Sequence, residues 1–367
     1  MSTVTAAVLR SPGTALAIET LEQAPPGPGE VLVRTGAAGV CASDYHVIHG
    51  TASITLPCVL GHEGAGTVEA VGPGVTSLKP GDRCVLSFVS NCGHCTPCRS
   101  GSPQLCDTNA LTGARQYDGT TRLRDASGAE VFQMSKLGVF ADRMVVPQQA
   151  CYPIPDAVPM EVAALIGCSV TTGYGTLAHA PGVHPGMTVA VFGVGGVGLH
   201  SIQAARILNA SRIIAVDISE SKLHFATQFG ATDRIDASTT DPVEAIRDLV
   251  GGVHFAVDAF GSATTTQQAF DALRKNGTAV IAGLAPLGEH SAINLIDLVR
   301  QQKRLVGAYY GNASPHETFR TMVDLYLRGV LLVDELVQRR YPLAQINEGF
   351  TALEHGEDGR GVIVYDD

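Results

Sequence analysis

The sequence predicts an α/β protein of two domains: a β-rich domain and a domain with a doubly wound parallel sheet. A chain of 367 residues suits two domains better than one, because single hydrophobic cores stop growing near ~250–300 residues. In the first third, short apolar runs such as 65–71 are bounded by glycine and proline turns such as 25–29 and 79–82, which is typical of β-barrels and sandwiches. After about Thr171, apolar strands alternate with helices, which indicates βαβ units on a parallel sheet.

The domain boundaries follow from this change of pattern. We expect the first domain to comprise residues 1–170 together with 314–367, and the second to span 171–313. In the later part of the chain the predicted strands are 188–192, 212–217, 254–258, 278–283 and 361–365, and the predicted helices lie near 199–208 and 316–328. The last strand is expected to return to the first domain. Residues 113–137 are polar and irregular, and we expect a surface loop there.

Charge and composition narrow the choice of partners. The formal net charge is −10, and the sequence has no basic stripe and no patch of cations interleaved with aromatic residues. Nucleic acids and anionic membrane surfaces are therefore poor candidates, since phosphate binding needs clustered cations. The first ten residues lack the basic and apolar regions of a signal peptide, and no apolar stretch is long enough to span a bilayer. We expect a cytoplasmic protein whose partner is a small molecule.

A glycine-rich turn follows the predicted strand at 188–192. Gly193, Gly195 and Gly198 satisfy the G-x-G-x-x-G pattern, with Gly196 inside it. Alone, this pattern is weak in a chain with 41 glycines. Here a strand precedes it, a helix follows it, and an acidic residue, Asp217, ends the next strand 19 positions after Gly198. That context predicts a Rossmann dinucleotide site, with the pyrophosphate at the helix N-terminus.

Asp217 determines the expected cofactor. Its carboxylate can accept hydrogen bonds from both hydroxyls of the adenosine ribose, and its charge would repel a 2′-phosphate, so NAD is expected rather than NADP. Lys222 is expected to pack near the same ribose. The alternative is a structural βα turn that binds no ligand.

Four cysteines lie within one short stretch. Cys92, Cys95, Cys98 and Cys106 have the spacing C-x2-C-x2-C-x7-C, and four thiolates so spaced can close a tetrahedron around Zn²⁺ with no open position, which indicates a structural site. The chain has nine cysteines and no secretion signal, a combination that favours metal thiolates over disulfides. A reduced or disulfide-bonded loop and an iron–sulfur cluster are the alternatives.

Three further candidate ligands are scattered along the chain. Cys41 lies in the segment GVCASDYH, His62 in GHEGAG and Cys168 in IGCSVTTGYG. Spacing alone does not link them, and each could be an ordinary buried residue. These three motifs, the cysteine stretch and the glycine-rich turn nevertheless occur in the order found in zinc-dependent medium-chain alcohol dehydrogenases. The chain resembles that family from near its N-terminus to the segment RGVIV at 360–364.

The resemblance implies a fold and a set of metal ligands. A GroES-like catalytic domain would accompany a Rossmann coenzyme domain, with a catalytic zinc in the cleft between them. Cys41, His62 and Cys168 would bind that zinc and leave a fourth position for water or the alcohol. With the four-cysteine site, this makes two zinc ions per subunit, one catalytic and one structural.

The resemblance also implies roles for the neighbours of these ligands. Asp44 would orient His62. Glu63 would lie behind the metal with Arg360 as its ion partner. Arg360 is also expected to be a cofactor-binding residue. Ser43 would contact the zinc-bound oxygen, and His46 would end the proton relay.

Other positions are expected to surround the nicotinamide and the substrate. Thr172 and Val197 match positions that pack against the nicotinamide. Phe88 and Phe140 match positions that line the alcohol pocket, although core packing is nearly as good an interpretation of each. The remaining cysteines (Cys58, Cys84 and Cys151) are expected to be core residues.

Two departures and one long segment bear on the subfamily. Ala42 stands where many relatives carry Arg or His near the pyrophosphate, and Ala110 stands about where glutathione-dependent formaldehyde dehydrogenases carry an arginine. The long form of 113–137 is typical of dimeric members, and the run 303–311 resembles the strand that joins coenzyme domains across the dimer. We therefore expect a homodimer.

Three functions remain open at this point. The first is an NAD-dependent zinc alcohol dehydrogenase that interconverts an alcohol with an aldehyde or ketone. The second is a nicotinoprotein that keeps its nicotinamide permanently bound, because the long segment also resembles actinobacterial members of that kind. The third is a non-catalytic zinc protein on the same scaffold, which would need a damaged active site. The sequence does not name the alcohol.

Overall fold

Two units with separate hydrophobic cores share the chain. The computed structural model describes residues 2–180 and 182–365. The first unit comprises the chain up to Cys168 together with Ser314–Gly329 and the chain from Val333 onward, and the second comprises Ser169–Ala313 with Val330–Leu332. Within the described part of the chain, none of the helices has the length and apolar character that crossing a bilayer requires.

The strands and helices are numbered in chain order. The strands are β1 (Ser2–Leu9), β2 (Ala17–Gln23), β3 (Glu30–Gly39), β4 (Cys58–Val59), β5 (Gly64–Val71), β6 (Arg83–Leu86), β7 (Leu123–Arg124), β8 (Glu130–Gln133), β9 (Arg143–Pro147), β10 (Cys151–Pro153), β11 (Thr188–Phe192), β12 (Arg212–Asp217), β13 (Asp233–Asp236), β14 (Val253–Asp258), β15 (Leu273–Ile281), β16 (Arg304–Gly307), β17 (Val337–Pro342) and β18 (Arg360–Val364). The α-helices are α1 (Ala42–Ile48), α2 (Thr96–Arg99), α3 (Asp107–Thr112), α4 (Met160–Leu165), α5 (Thr171–Ala178), α6 (Gly196–Ile207), α7 (Glu220–Phe229), α8 (Pro242–Val250), α9 (Ala263–Asp271), α10 (Leu295–Arg300), α11 (Pro315–Leu327) and α12 (Ile346–Glu354).

The first unit is built mainly from β-strands. A closed barrel has the strand order β1-β2-β7-β8-β4, and a larger sheet has the order β10-β6-β5-β3-β18-β17, with β9 also paired to β3. The C-terminal strand β18 runs antiparallel to β3, with Val362 opposite Gly39. The barrel and sheet share one apolar core, so the metal-ligand segments that leave β3, β4 and β6 start from a fixed frame.

The expectation of an irregular surface loop at 113–137 is wrong for its second half. There β7 and β8 pair antiparallel and belong to the barrel. Polarity does not indicate exposure in this segment, because several of its polar side chains are buried and hydrogen-bonded to backbone carbonyls. Gln116 and Gln133 both donate to the Val145 carbonyl, at 3.1 and 3.3 Å, so their amides satisfy the backbone inside the barrel.

The second unit is a doubly wound parallel sheet. Its strand order is β13-β12-β11-β14-β15-β16, and each neighbouring pair is parallel. The chain moves outward from β11 in one direction and then in the other, which is the Rossmann order with its switch point beside β11. Strands β11, β12 and β14 are almost wholly buried because helices cover both faces of such sheets. The predicted α/β fold class is confirmed.

Candidate metal centres and dinucleotide site

The three scattered ligand candidates come together in the first unit. Cys41 immediately precedes α1, His62 lies between β4 and β5, and Cys168 lies in the π-helical turn at Ile166–Val170. Their potential ligand atoms all lie within 4.8 Å of one another, and the Cys168 Sγ atom is 3.4 Å from His62 Nε2. Two thiols and an imidazole at this separation suit zinc, and three protein ligands leave one tetrahedral position open.

The pKa values of the Cys41 and Cys168 thiols are shifted in opposite directions by their contact with each other. The hydrogen bond with Cys168 holds the pKa of the Cys41 thiol well below its usual value, and the charges of His62 and Arg360 act in the same direction, whereas burial opposes them. The same hydrogen bond raises the pKa of the Cys168 thiol, and burial adds to it. Cys41 is therefore the more readily ionised thiol of the pair, and a metal ion binds cysteine in its ionised form.

Asp44 fixes the orientation of His62. The His62 Nδ1 atom lies 3.2 Å from Asp44 Oδ2, and neither atom has another hydrogen-bond partner among the described residues. The other Asp44 oxygen accepts the Gly61 N–H at 2.9 Å. Burial opposes protonation of His62, but the Asp44 carboxylate and the Cys41 thiolate raise its pKa well above the ordinary value. With Nδ1 directed to Asp44, the Nε2 atom faces the thiols, where a metal ion would take the place of its proton.

Glu63 and Arg360 form a buried ion pair behind these ligands. The Arg360 guanidinium donates to a Glu63 carboxylate oxygen and, at 2.8 Å, to the Val40 carbonyl. A Cβ atom at Gly39 would lie 2.4 Å from the Glu63 carboxylate, so glycine is required where β3 passes the pair. The expected partnership is present in the structure, while contact between Arg360 and the cofactor stays a prediction.

Ser43 and His46 lie on the first turns of α1, three residues apart and therefore on one side of the helix. Both are partly exposed. The Thr51 hydroxyl donates to the His46 carbonyl, and its oxygen lies 3.1 Å from His46 Nδ1. Nδ1–H is then the donor to Thr51, and Nε2 carries the lone pair that can accept a proton.

The two phenylalanines have different surroundings. The Phe88 ring is partly buried and meets the His62 ring edge-on at a centroid distance of 5.4 Å, which suits a residue beside the metal ligands. Phe140 has no exposed surface, and its ring packs against Phe350 at 5.9 Å. This packing agrees with the core interpretation that the sequence also allowed, and contact of Phe140 with the alcohol stays a prediction.

The four-cysteine stretch forms a second cluster in the first unit. The Sγ atoms of Cys92, Cys95, Cys98 and Cys106 lie within 4.8 Å of one another, and all nine cysteines of the chain are free thiols. Backbone amides donate to these sulfurs: Cys92 and Asn109 to Cys106, at 3.3 and 3.4 Å, and Cys95 to Cys92, at 3.4 Å. Such N–H groups stabilise thiolates. We call this set the cysteine cluster, and its four sulfurs fit a closed tetrahedral metal site.

The glycine-rich turn of the second unit joins β11 to α6. Gly193 has a φ of 83°, which only glycine adopts readily, and a Cβ atom at Gly198 would lie 1.9 Å from the Gly193 carbonyl oxygen. A Cβ atom at Gly195, in contrast, would meet nothing within 4 Å. Gly195 caps the N-terminus of α6, which begins at Gly196. That open space at a helix N-terminus is where a pyrophosphate would fit.

Asp217 lies at the carboxyl end of β12, beside this turn. Its carboxylate accepts the Val194 N–H at 2.9 Å and the Ile218 N–H at 2.8 Å. The acidic residue and the glycine-rich turn are therefore held against each other, as the Rossmann site requires. Lys222, in the first turn of α7, is partly exposed, and its contact with a ribose stays a prediction.

Helices α5 and α6 bring the two expected nicotinamide contacts into one region. Thr172 lies on α5 and Val197 on α6. A Cβ atom at Gly173 would lie 2.2 Å from the Val197 carbonyl oxygen, so the two helices touch next to both residues. Their contact with a nicotinamide remains a prediction.

Sequence reasoning missed one residue beside the cysteine cluster. Lys136 is fully buried, and its ammonium contacts the segment that follows Cys106. No pattern in the sequence indicates this, because a lysine in a polar stretch is expected to be solvated.

Two protein families match the chain. The family described as "Alcohol dehydrogenase GroES-like domain" matches residues 27–156, and the family described as "Zinc-binding dehydrogenase" matches residues 196–328. The GroES-like and Rossmann parts of the predicted fold are confirmed by these matches.

Curated proteins match over almost the whole length. An NDMA-dependent alcohol dehydrogenase from Amycolatopsis methanolica is 38% identical over 368 aligned positions, covering 98% of each chain. Alcohol dehydrogenase B from Mycobacterium tuberculosis is 36% identical and covers 95% of each chain.

Solved structures have the same fold. An alcohol dehydrogenase zinc-binding domain protein from Burkholderia ambifaria has a TM-score of 0.95 at 35% identity. The benzyl alcohol dehydrogenase of Acinetobacter calcoaceticus has a TM-score of 0.92 at 33% identity, and both cover all of each chain. A zinc-binding dehydrogenase from Sinorhizobium meliloti, bound to NADP, has a TM-score of 0.81 at 28% identity over the full length of both chains.

Proposed function

This chain belongs to the alcohol dehydrogenases of the medium-chain dehydrogenase/reductase superfamily, and we propose that it is a zinc-dependent enzyme that transfers a hydride reversibly between an alcohol and NAD. The observation that carries the proposal is the set Cys41, His62 and Cys168, whose ligand atoms lie within 4.8 Å of one another. The set keeps its orienting carboxylate, Asp44. A non-catalytic protein on this scaffold would have no need for a three-ligand site with an open position.

The reaction divides between the bound groups and the chain. When bound, the zinc ion would supply a Lewis acid at the alcohol oxygen and the nicotinamide would accept the hydride. The residues of the chain position the reacting groups and transfer a proton. Asp44 holds His62 in one tautomer, and the Glu63–Arg360 pair keeps a neutralised carboxylate behind the ligands. The Ser43 hydroxyl would accept the alcohol proton while giving up its own, and His46 Nε2 would end the relay and release a proton to solvent.

The choice of NAD over NADP rests on Asp217. A carboxylate at this position supplies acceptors for two ribose hydroxyls and repels a 2′-phosphate. Its hydrogen bonds from Val194 and Ile218 fix the carboxylate beside the glycine-rich turn. Gly193, Gly195, Gly196 and Gly198 would then hold the pyrophosphate against the start of α6.

A second candidate is a nicotinoprotein that never releases its cofactor. The observation in its favour is the 38% identity, over 98% of both chains, with a relative named NDMA-dependent alcohol dehydrogenase. A protein of this kind would carry out the same hydride transfer, with a second substrate in place of free NAD as the final acceptor.

Further features complete the proposal. The cysteine cluster would hold a second, structural zinc, which gives two zinc ions per chain. The first domain is proposed as 1–170 with 314–367 and the second as 171–313. We also propose a cytoplasmic homodimer. Edge strand β16 supports the dimer, because Leu305 on that strand and Leu295 on α10 are exposed by 41% and 70%, and exposed apolar edges commonly pair.

The first experiment separates these candidates. Purified protein is mixed with a panel of primary, secondary and aromatic alcohols and either NAD⁺ or NADP⁺, and reduced nicotinamide is followed by its near-ultraviolet absorbance. We expect an increase with NAD⁺ that is lost when the zinc is removed and restored when zinc is returned. A Cys58→Ser variant is the matched control. Cys58 is a buried thiol outside both clusters, so its substitution should leave the zinc-dependent activity unchanged.

Each other outcome has a definite meaning. One such outcome is that free NAD⁺ is not reduced while the protein, given an alcohol, bleaches N,N-dimethyl-4-nitrosoaniline. If denaturation of that protein also releases a nicotinamide, the enzyme is the nicotinoprotein. If activity survives complete zinc removal, the metal-dependent mechanism is wrong. A preference for NADP⁺ would contradict the role proposed for Asp217.

A further inference from the structure

Lys136 is a buried cation with an unusual set of partners. Its side chain has no exposed surface, and all three hydrogens of its ammonium are matched by oxygens: the Asn109 carbonyl and the Asn109 side-chain oxygen, each at 3.1 Å, and the Gly113 carbonyl at 3.0 Å. In the part of the chain that the structure describes, no carboxylate acts on this ammonium. A buried charge without a counter-charge is strongly unfavourable.

The partners of Lys136 lead directly to the cysteine cluster. Asn109, which accepts two hydrogen bonds from the ammonium, donates its own N–H to Cys106 Sγ at 3.4 Å. Gly113 ends α3, the helix that begins after Cys106. Lys136 therefore holds both ends of the short segment that carries the N–H donor to a sulfur ligand.

The backbone at Lys136 is held in a conformation that aims the side chain inward. Ser135 and Lys136 have φ angles of 55° and 64°, which are uncommon for residues other than glycine. The Gln116 amide donates to the Lys136 carbonyl at 3.3 Å. The Tyr117 ring lies 5.4 Å from the ammonium, a distance at which an aromatic face attracts a cation. Residues of 113–137 thus surround the ammonium.

We propose that Lys136 is a positioning residue for the metal of the cysteine cluster, in which its buried ammonium balances the negative charge of the four thiolates and fixes Asn109 for its hydrogen bond to Cys106. A divalent ion with four thiolates carries a net charge of −2, so it supplies the counter-charge that the surroundings of Lys136 lack. In agreement, burial lowers the pKa of Lys136 to about 8, while the Cys106 thiolate acts in the opposite direction. The inference rests on the proposal that the cluster holds a metal.

The test measures loss of metal from the cluster. Lys136→Met removes the charge and keeps an unbranched side chain, and Lys136→Arg keeps the charge. Lys303→Met is the matched control: Lys303 is also a buried lysine, donates to the Phe270 carbonyl at 3.2 Å and lies over the Phe270 ring at 5.0 Å, but it belongs to the second unit. Proteins loaded with Co²⁺ are mixed with a chelator, and the visible absorption of the four-thiolate ion is followed separately from that of the ion bound by two thiolates and an imidazole.

We expect Lys136→Met to release the four-thiolate ion about 10–100-fold faster than the parent, the usual effect of removing an outer partner of a metal site. Lys136→Arg should recover part of the difference, and Lys303→Met should release it at the parental rate. Equal rates for Lys136→Met and the parent, or an equal acceleration by Lys303→Met, would overturn the inference. A parent that binds no four-thiolate ion would contradict the proposed structural metal site itself, and the inference with it.

A second measurement avoids the variants and covers the case in which Lys136→Met does not fold. Hydrogen exchange of the parent is compared before and after the four-thiolate ion is removed. We expect faster exchange in 107–113 and in 134–137, which Lys136 joins, with no change in β11 as the internal reference. Unchanged exchange in both segments would overturn the inference.

Discussion

At the scale of single residues, Asp217 is where cofactor choice can be tested. In Asp217→Asn the side chain keeps its shape and one acceptor oxygen but loses its charge. Because hydrogen bonds to a charged group contribute about 1.5–3 kcal/mol, we expect the apparent affinity for NAD to fall by roughly 10–100-fold. The discrimination against NADP should shrink by a similar factor. The measurement is kcat/KM for each cofactor, or the dissociation constant of each reduced form.

The control for this prediction lies on the neighbouring strand. Asp236 ends β13 as Asp217 ends β12, and its carboxylate accepts a backbone N–H from Ser238 at 2.8 Å. Asp236→Asn should leave the NAD/NADP ratio unchanged. An unchanged ratio in Asp217→Asn as well would mean that another residue discriminates between the cofactors.

Residues differ in how well the sequence predicts their roles. The cysteine cluster could be recognised from spacing, because its four members lie within one short segment whose geometry is local. His62 and Cys168 are 106 positions apart, and only the folding of β4, β5 and the π-helical turn brings them together. Their assignment depended on the family resemblance. Lys136 carries no sequence signal, since it is buried by contacts with Asn109 and Gly113, which only the folded chain brings around it.

At the scale of elements, two glycines at the start of α6 can be used to distinguish an effect on cofactor binding from an effect on packing. Gly195→Ala would place a methyl group in open space, whereas Gly198→Ala would place one 1.9 Å from a backbone oxygen. We expect Gly195→Ala to weaken NAD binding by about 10-fold or more, because the methyl group takes the position of the pyrophosphate, while its melting temperature stays close to that of the parent. Gly198→Ala should lose stability by several kcal/mol, or fail to fold, since the strand and helix must move apart.

The reference for this pair is Gly307→Ala on β16. A Cβ atom at Gly307 also meets nothing within 4 Å in the same chain, so cofactor affinity should not change. Thermal unfolding and titration with NADH distinguish the three variants. Parental affinity in a folded Gly195→Ala protein would contradict the proposed location of the pyrophosphate.

Element prediction succeeded where the physical signal was local and failed where it was not. Strands β11 and β12 match the predicted ranges because both faces are buried, which gives uninterrupted apolar runs. Helix α6 begins three residues before the predicted start, since its glycine-rich first turn resembles a loop. Strand β15 begins at Leu273 rather than 278, because the polar residues at 274–276 conceal its first half.

At the scale of the whole molecule, one prediction concerns stability against pH. His316 on α11 packs against the Tyr152 and Phe319 rings, and burial lowers its pKa, although the hydrogen bond to the Gln149 carbonyl opposes this effect. The unfolded chain therefore binds a proton more readily than the folded one. The stability that neutral His316 contributes is complete above pH ~6.5 and is lost as the pH falls through the folded pKa, by at most about 1.4 kcal/mol per pH unit.

The corresponding variant is His316→Gln, which keeps a polar side chain but cannot be protonated. We expect its urea midpoint to decline less steeply than that of the parent between pH 7.5 and pH 5.5. His290→Gln is the control, because His290 is exposed and should leave the decline unchanged. Identical slopes for His316→Gln and the parent would show that folding does not change the pKa of His316.

Assembly is the last property that the fold leads us to predict. Strand β16 is the outer strand of its sheet, and α10 beside it in the sequence buries none of its residues, with Ile296 and Val299 exposed by 62% and 73%. We expect a particle of twice the 38.2 kDa chain mass in sedimentation, and Leu305→Glu should shift it to the monomer, because the substitution places a charge in an apolar contact.

The matched control is Leu327→Glu. Leu327 is exposed by 46% and Leu305 by 41%, so the two substitutions change the solvated surface equally, but Leu327 lies on α11 of the other unit. Only Leu305→Glu should dissociate the dimer. If the parent protein is a monomer, the proposed dimer is wrong. If both variants dissociate the dimer, the added charge separates the chains without any specific contact at Leu305, and the contact between the chains lies elsewhere. If Leu305→Glu is monomeric and still oxidises alcohol, each chain contains a complete active site, and the role of the dimer is stability rather than chemistry.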